Sequence, residues 1–426
     1  MNKGLIHISI VYTPLLLIIN LGLGSQQEPI TIAGIAINQI INWIVILGMT
    51  IIVVNAFGKN LWTLILISGL IGAKLFMQVF GETFELYVIY KICLLTLSML
   101  GGFVYLSRHF DLIYKQVLIL SLLNLIMMVL QTANAGDWTQ FLSTESTFKY
   151  GEKITHDTLF VQISQLKYSV IQARPSGLLR SNNILSGVII FALALHFSRE
   201  KSNIRWGSIV LCAMIVFAGA RVVYVSYILI IIVILYRGSI AQKKNIKTSL
   251  VILLIFETSY YFFFPGLFIN YWQFDSFFYN FFIRINDIIS AMDKNNILRI
   301  LLEGFFSNTA TADWNTPDSN LSGFTVLVKY VPYLLPILLM MIPIYVKALR
   351  KQNSMFPHLK WVTVLCLLNF ILYPAAVSIF LDQFYWFTGG FALSPLILLL
   401  PLRNLFNSHN NNYKSKIDNP IQKIFP

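Results

Sequence analysis

The chain has 426 residues, 57% hydrophobic and 12% charged, with a mean hydropathy of +0.70. A water-soluble surface does not tolerate that balance, so lipid is the expected solvent for most of the chain. The net charge of +13 comes from basic residues dispersed in short segments between apolar runs, with no aromatic-interleaved patch. Orientation in a membrane explains it better than a nucleic-acid partner.

Apolar runs of roughly 17 to 25 residues, enough to cross about 30 Å of hydrocarbon as helix, recur along the whole sequence. An outer-membrane barrel is excluded because its strands alternate apolar and polar residues, and 228–235 does not. The expected fold is therefore all-α: a polytopic integral membrane protein of about twelve transmembrane helices. In chain order the predicted spans are 5–23, 37–57, 61–80, 86–106, 114–130, 183–197, 204–218, 222–236, 250–268, 324–346, 361–381 and 384–402. The first has Lys3 before an apolar stretch, as in a signal peptide, but the stretch is long for one and reads as a retained span. Cys93, Cys212 and Cys366 fall inside spans and far apart in sequence, which indicates neither a disulfide framework nor a thiolate metal site.

Loop charges give the orientation, since cytoplasmic loops are enriched in Lys and Arg. With the N-terminus inside, Lys59, Arg108, Lys115, Arg199, Lys201, Arg237, Lys243, Lys244, Lys247, Lys347, Arg350 and Lys351 are inner. Glu28, Glu82, Glu85, Asp137, Glu145, Asp157, Asp275, Asp287, Asp313, Asp318 and Asp382 are outer, which places both termini in the cytoplasm. Two outer segments are long, 131–182 and 269–323, and both are too apolar for flexible linkers. Within the second, 284–306 carries apolar residues near helical spacing and predicts an interfacial helix; 159–171 is a weaker case. The chain forms one membrane domain, 1–426, with a polar cytoplasmic tail at 403–426.

Arg174, Arg180 and Arg221 lie on the outer side, where positive charge is disfavoured. Guanidinium groups are permanently charged and donate paired hydrogen bonds, which suits the phosphates of a lipid-linked substrate. For any one of them, snorkelling to lipid phosphates or pairing with an outer carboxylate is an equal explanation; three together favour a site. Glu257 lies mid-span, where a charge is costly, so it should face protein, be paired or be protonated, with Lys74 as a candidate partner. Asn38, Gln39 and Asn42 in the second span read as hydrogen-bonding glue between helices.

The stretch ARPSGLLRSNNILSG, 173–187, resembles the Arg-x-x-Gly segment and Asn-containing span entrance of the O-antigen polymerase and ligase superfamily. GARVVYVSYILIIIVIL, 219–235, is similar to its next marker, an arginine opening a span, and DSNLSGFTVLVKYV, 318–331, to the end of its large outer loop. The resemblance covers roughly the middle of the chain and rests on the order of short motifs. It implies a GT-C-like architecture and transfer of a growing glycan from undecaprenyl diphosphate to the end sugar of another lipid-linked repeat unit. Membrane lipids, a flippase and a chain-length regulator are the implied partners, and neither cofactor nor metal is expected. Ligases of this superfamily place a histidine where this chain has Asp318, and that difference favours a polymerase.

Under this reading Arg174, Arg221 and Asp318 are the catalytic candidates: the arginines on the leaving diphosphate, and Asp318 as base on the acceptor hydroxyl. Asp318 reads equally as a helix N-cap. Gly177, Arg180, Asn182, Arg284, Ser319 and His156 are the substrate-binding candidates. The competing classes are a ligase, which would pass the glycan to a lipid A core, and a flippase or other transporter, which would break no bond.

Overall fold

The computed structural model describes residues 3–24, 31–32, 35–58, 86–132, 177–179, 182–199, 205–263, 323–372, 383–397 and 399. They form eleven helices: α1 (Lys3–Gly24), α2 (Ile37–Phe57), α3 (Leu86–Arg108), α4 (Phe110–Thr132), α5 (Asn182–Phe197), α6 (Arg205–Ala218), α7 (Arg221–Arg237), α8 (Ile240–Phe263), α9 (Gly323–Met355), α10 (Lys360–Leu372) and α11 (Gln383–Ile397). The one departure from helix, short 3-10 turns aside, is a small antiparallel pair, β1 (Thr31–Ile32) with β2 (Ile35–Ala36), in the register Thr31 to Ala36 and Ile32 to Ile35. The architecture is thus all-helical and compatible with a membrane protein. Every helix overlaps one predicted span, α8 beginning ten residues before its own, and the remaining prediction, 61–80, lies outside the described residues. Gln39–Phe57 and Phe110–Gln131 are long and apolar enough to cross a bilayer; Gly4–Asn20, Cys93–Arg108, Ile184–Phe197, Trp206–Ala218, Val222–Arg237 and Lys360–Phe370 are shorter apolar helices.

Burial separates a centre from a rim. From Leu185 to Ser198 every residue of α5 and its end is buried, so this helix has no solvent face and stands inside a ring. Around it α4, α6, α7 and α10 pack directly, while α1, α2, α3 and α11 complete a second group joined through α10 and α11. The outward faces stay apolar: on α4, Ile119, Leu122, Leu123, Ile126 and Val129 form an exposed stripe at helical spacing. Such a continuous exposed apolar surface is what lipid covers.

Between apolar helices in lipid, small residues and side-chain hydrogen bonds do the holding. A Cβ on Gly102 of α3 would overlap the Phe387 carbonyl of α11, and one on Gly390 of α11 would overlap the Met99 carbonyl of α3. Across the same group, Asn42 Oδ1 of α2 accepts from Gln383 Nε2 of α11 at 2.6 Å, the helix-gluing role expected of it. The Tyr105 hydroxyl of α3 donates to the Ile10 carbonyl of α1 at 2.7 Å. Mid-core, Asn369 of α10 donates to the Ile190 carbonyl of α5 at 2.9 Å and accepts from Ser226 of α7 at 3.2 Å.

At the basic ends of the helices a second polar cluster closes the ring. His196 of α5 shares one hydrogen bond with the Tyr114 hydroxyl and another with Ser208, each 2.9 Å, so both imidazole nitrogens are used. Arg199 lies over the Tyr114 ring, 4.3 Å from its centroid, and donates to Asp111 at 2.8 Å. Asp111 is thus the partner of one of the basic residues at this end. All three cysteines are free thiols, and Cys212 and Cys366 are buried.

Gly102→Ala should lower the thermal unfolding midpoint in detergent, by an overpacking cost of about 1–3 kcal/mol. Gly101→Ala should leave it near wild type, because its Cβ would meet only the end of the Met49 side chain, which can move away. Equal midpoints would refute the backbone contact between α3 and α11.

Candidate functional site

Residues 177–179 form a single 3-10 turn, Gly177–Leu179, held against the end of α4. Gly177 adopts φ +63°, a left-handed conformation that glycine takes without penalty. Its N–H donates to Gln131 Oε1 at 2.9 Å while its carbonyl accepts from Gln131 Nε2 at 3.1 Å. One glutamine amide therefore satisfies both backbone groups of this residue. The N–H of Leu178 donates to Asn124 Oδ1 at 2.9 Å, and Asn124 Nδ2 is turned away to the Leu120 carbonyl. A Cβ on Gly177 would come within 2.7 Å of that Asn124 oxygen. Leu179 completes the dock as a buried anchor. Gly177 is thus engaged with protein on all its backbone groups and acts as the fastening point of the segment that carries Arg174 and Arg180 in sequence.

Arg221 is the first residue of α7, and the turn that leads to it is buried. Gly219 has φ +54° and bonds back to the Ile215 carbonyl at 3.2 Å, the left-handed stop that ends α6. Ala220 is extended and 6% exposed, so α7 begins inside the protein. Seventeen residues of α7 rise about 25 Å, short of the about 30 Å of a hydrocarbon core. The Asn369 bonds to Ser226 and Ile190 fix α7 against α5, whose first residue is Asn182.

One turn below Arg221, the Tyr224 hydroxyl donates to the carboxyl of Glu257 on α8. The partner of this mid-span acid is a phenol on the neighbouring helix; Lys74 lies outside the described residues. Below the pair, a groove of roughly 310 Å³ runs between α7 and α8.

Of the residues singled out from the sequence, Gly177 is placed with its contacts, and Asn182 and Arg221 are placed as the first residues of α5 and α7. Arg174, Arg180, His156, Arg284, Asp318 and Ser319 lie outside the described residues, as do both expected interfacial helices and most of the two long outer segments. Asn124 and Gln131 went unnoticed in the sequence. Their signal is a pair of amides seven residues apart, hence on one helix face, in an otherwise apolar run.

No protein-family model matches the chain, and comparison with curated proteins and with solved structures gives no significant match.

Gly177→Ala should destabilise the protein by more than about 1 kcal/mol, because it combines a strained φ with the Asn124 clash. Gln131→Ala should cost about 0.5–1.5 kcal/mol for each hydrogen bond removed. Thermal unfolding in detergent checks both, and wild-type midpoints for the pair would mean that the turn is not docked on α4.

Proposed function

We propose that the chain is a glycosyltransferase of the bacterial inner membrane that polymerises undecaprenyl-diphosphate-linked oligosaccharide repeat units into O-antigen or capsular polysaccharide. The observation that carries this reading is the buried entry turn of α7. An arginine opens a helix whose entry turn is buried, and α4 fastens Gly177–Leu179, the middle of the Arg-Pro-Ser-Gly-Leu-Leu-Arg motif. A helix N-terminus is the positive end of the helix dipole, and an arginine at its first position adds a full positive charge. Below the membrane surface such a charge is costly unless it meets an anion, and a lipid diphosphate is the anion that reaches that depth.

In this reaction the hydroxyl of the acceptor sugar attacks the anomeric carbon of the donor glycan. A new glycosidic bond forms as the bond to diphosphate breaks, the electron pair leaves with the diphosphate, and the hydroxyl proton passes to a base. Arg174, Arg180 and Arg221 would stabilise the departing charge, Asp318 would take the proton, and His156 is the second candidate for that role. Ser319 and Arg284 would guide the glycan. The reading invokes no metal or cofactor, since the three arginines would carry the charge of the departing diphosphate. Twelve spans, both termini in the cytoplasm and a site on the outer face complete the proposal, with a flippase supplying repeat units and a chain-length regulator setting their number.

The test is an electrophoretic ladder of surface polysaccharide from cells lacking the gene, complemented with wild type or with Arg221→Ala at matched protein level. The expected result is a ladder with wild type, and a single repeat unit on the final acceptor with Arg221→Ala and in the deletion. Accumulation of unattached long lipid-linked polymer would instead make the protein a ligase. Single units trapped inside the cell, with no surface glycan, would make it a flippase.

A further inference from the structure

The α7–α8 hairpin has a second feature, on the face away from the ring, that polymerisation does not use. Its groove is walled by Tyr227, Ile228 and Ile231 of α7 and by Leu250, Leu253 and Leu254 of α8. Ile228 is 52% and Leu254 65% exposed, so the groove opens sideways towards lipid. The Tyr224 and Glu257 pair closes one end. On α8, Leu250, Leu254 and Glu257 continue a stripe at three- and four-residue spacing that begins with Lys243 and Lys247. The same helix face is therefore cationic in its first two turns and apolar above them. Lys244, beside that stripe, and Arg237, the last residue of α7, are exposed at the same end. Among the described residues, none of Lys243, Lys244 and Lys247 has an ion-pair partner.

The hairpin that bears these charges is rigid. Gly238 and Ser239 alone connect the helices. The Ser239 hydroxyl accepts from the Gln242 N–H at 3.3 Å, the Gln242 side chain accepts from the Ser239 N–H at 3.0 Å, and Gln242 Nε2 reaches the Phe197 and Ser198 carbonyls at 3.1 Å. From Lys247 to Glu257 the helix rises about 15 Å. That is half of a hydrocarbon core of about 30 Å, the depth one acyl chain occupies.

We propose that this hairpin is a binding site for an anionic phospholipid of the cytoplasmic leaflet, with its phosphate at Lys243 and Lys247, Lys244 beside them, and one acyl chain in the α7–α8 groove. The charge sign selects the headgroup, and the apolar walls take the chain as far as the Tyr224–Glu257 stop. Basic recesses between helices on the cytoplasmic side favour anionic headgroups in this way. The site is independent of the glycosyl-transfer reading.

The test is native mass spectrometry of the full chain in detergent, titrated with dioleoyl phosphatidylglycerol and, separately, with dioleoyl phosphatidylcholine. Wild type should prefer the anionic lipid, and Lys243→Gln/Lys247→Gln should weaken its binding about thirtyfold, roughly fivefold for each cation removed. Lys347→Gln/Arg350→Gln removes the same charge from α9 and should change binding less than twofold. Leu254→Trp and Ile228→Trp should each weaken binding with all three lysines intact, and unfolding midpoints identify any variant that has lost its fold. Equal losses from the α8 and α9 pairs would overturn the proposal in favour of a diffuse positive surface. Unchanged binding in folded tryptophan variants would overturn the placement of the chain, and displacement by undecaprenyl phosphate at equal concentration would overturn the proposal by making the occupant a polyprenyl phosphate.

Discussion

Where the surroundings of a helix are as apolar as its side chains, burial alone cannot choose its neighbours, and the choice falls to contacts that lipid cannot imitate. The approach of α3 and α11 is the first of these. Gly102 and Gly390 bring two backbones together with no side chain between them, so that each glycine faces a carbonyl of the other helix. This contact sets the position of α11, and α11 then presents Gln383 to Asn42 and sets Phe384 and Phe391 edge-on against Phe191 of α5. The membrane-facing exterior carries no comparable restriction, as the exposed aliphatic stripe of α4 illustrates.

The second kind of contact is the amide that bonds across elements. Asn369, Asn124, Gln131 and Gln242 each bond to backbone on another helix or turn, or bridge two helices, and each fixes a height as well as a neighbour. A helix packed only by aliphatic side chains could slide along its axis by fractions of a turn at small cost. One bonded at a particular carbonyl could not, because the buried groups would lose their partners. Such bonds lock α7 against α5 and fasten the Gly177 turn to α4, so the candidate site is built on elements whose depth is specified.

Much of the helical layout was legible in the sequence. Each described helix stands where an apolar run predicts one, because a chain dissolved in lipid must satisfy its backbone within each segment. The boundaries moved where polar residues continue a helix beyond the apolar part: α8 begins at Ile240, well before the apolar run at 250, since its basic first turns are stabilised by the Ser239 and Gln242 cap. The site was legible in its residue types and less so in its assembly. Gly177 stood out within a motif, yet its role as a fastening depends on Asn124 and Gln131, which lie 54 and 46 residues from their partners in the chain. Glu257 was visible as a costly mid-span acid, but depth alone pointed to Lys74, whereas the structure supplies Tyr224 from the adjacent helix. Local pattern reveals which groups need partners, and only the packing chooses among those at similar depth.

The two-residue link between α7 and α8 also limits how the two helices can move. With only Gly238 and Ser239 between them, and Gln242 bonding back to the carbonyls at the end of α5, neither helix can slide along its axis without carrying the other with it. Arg221 at one end of α7 and the lysines of α8 near the other are therefore parts of one unit, and a displacement of α8 would be passed to α7 through that link.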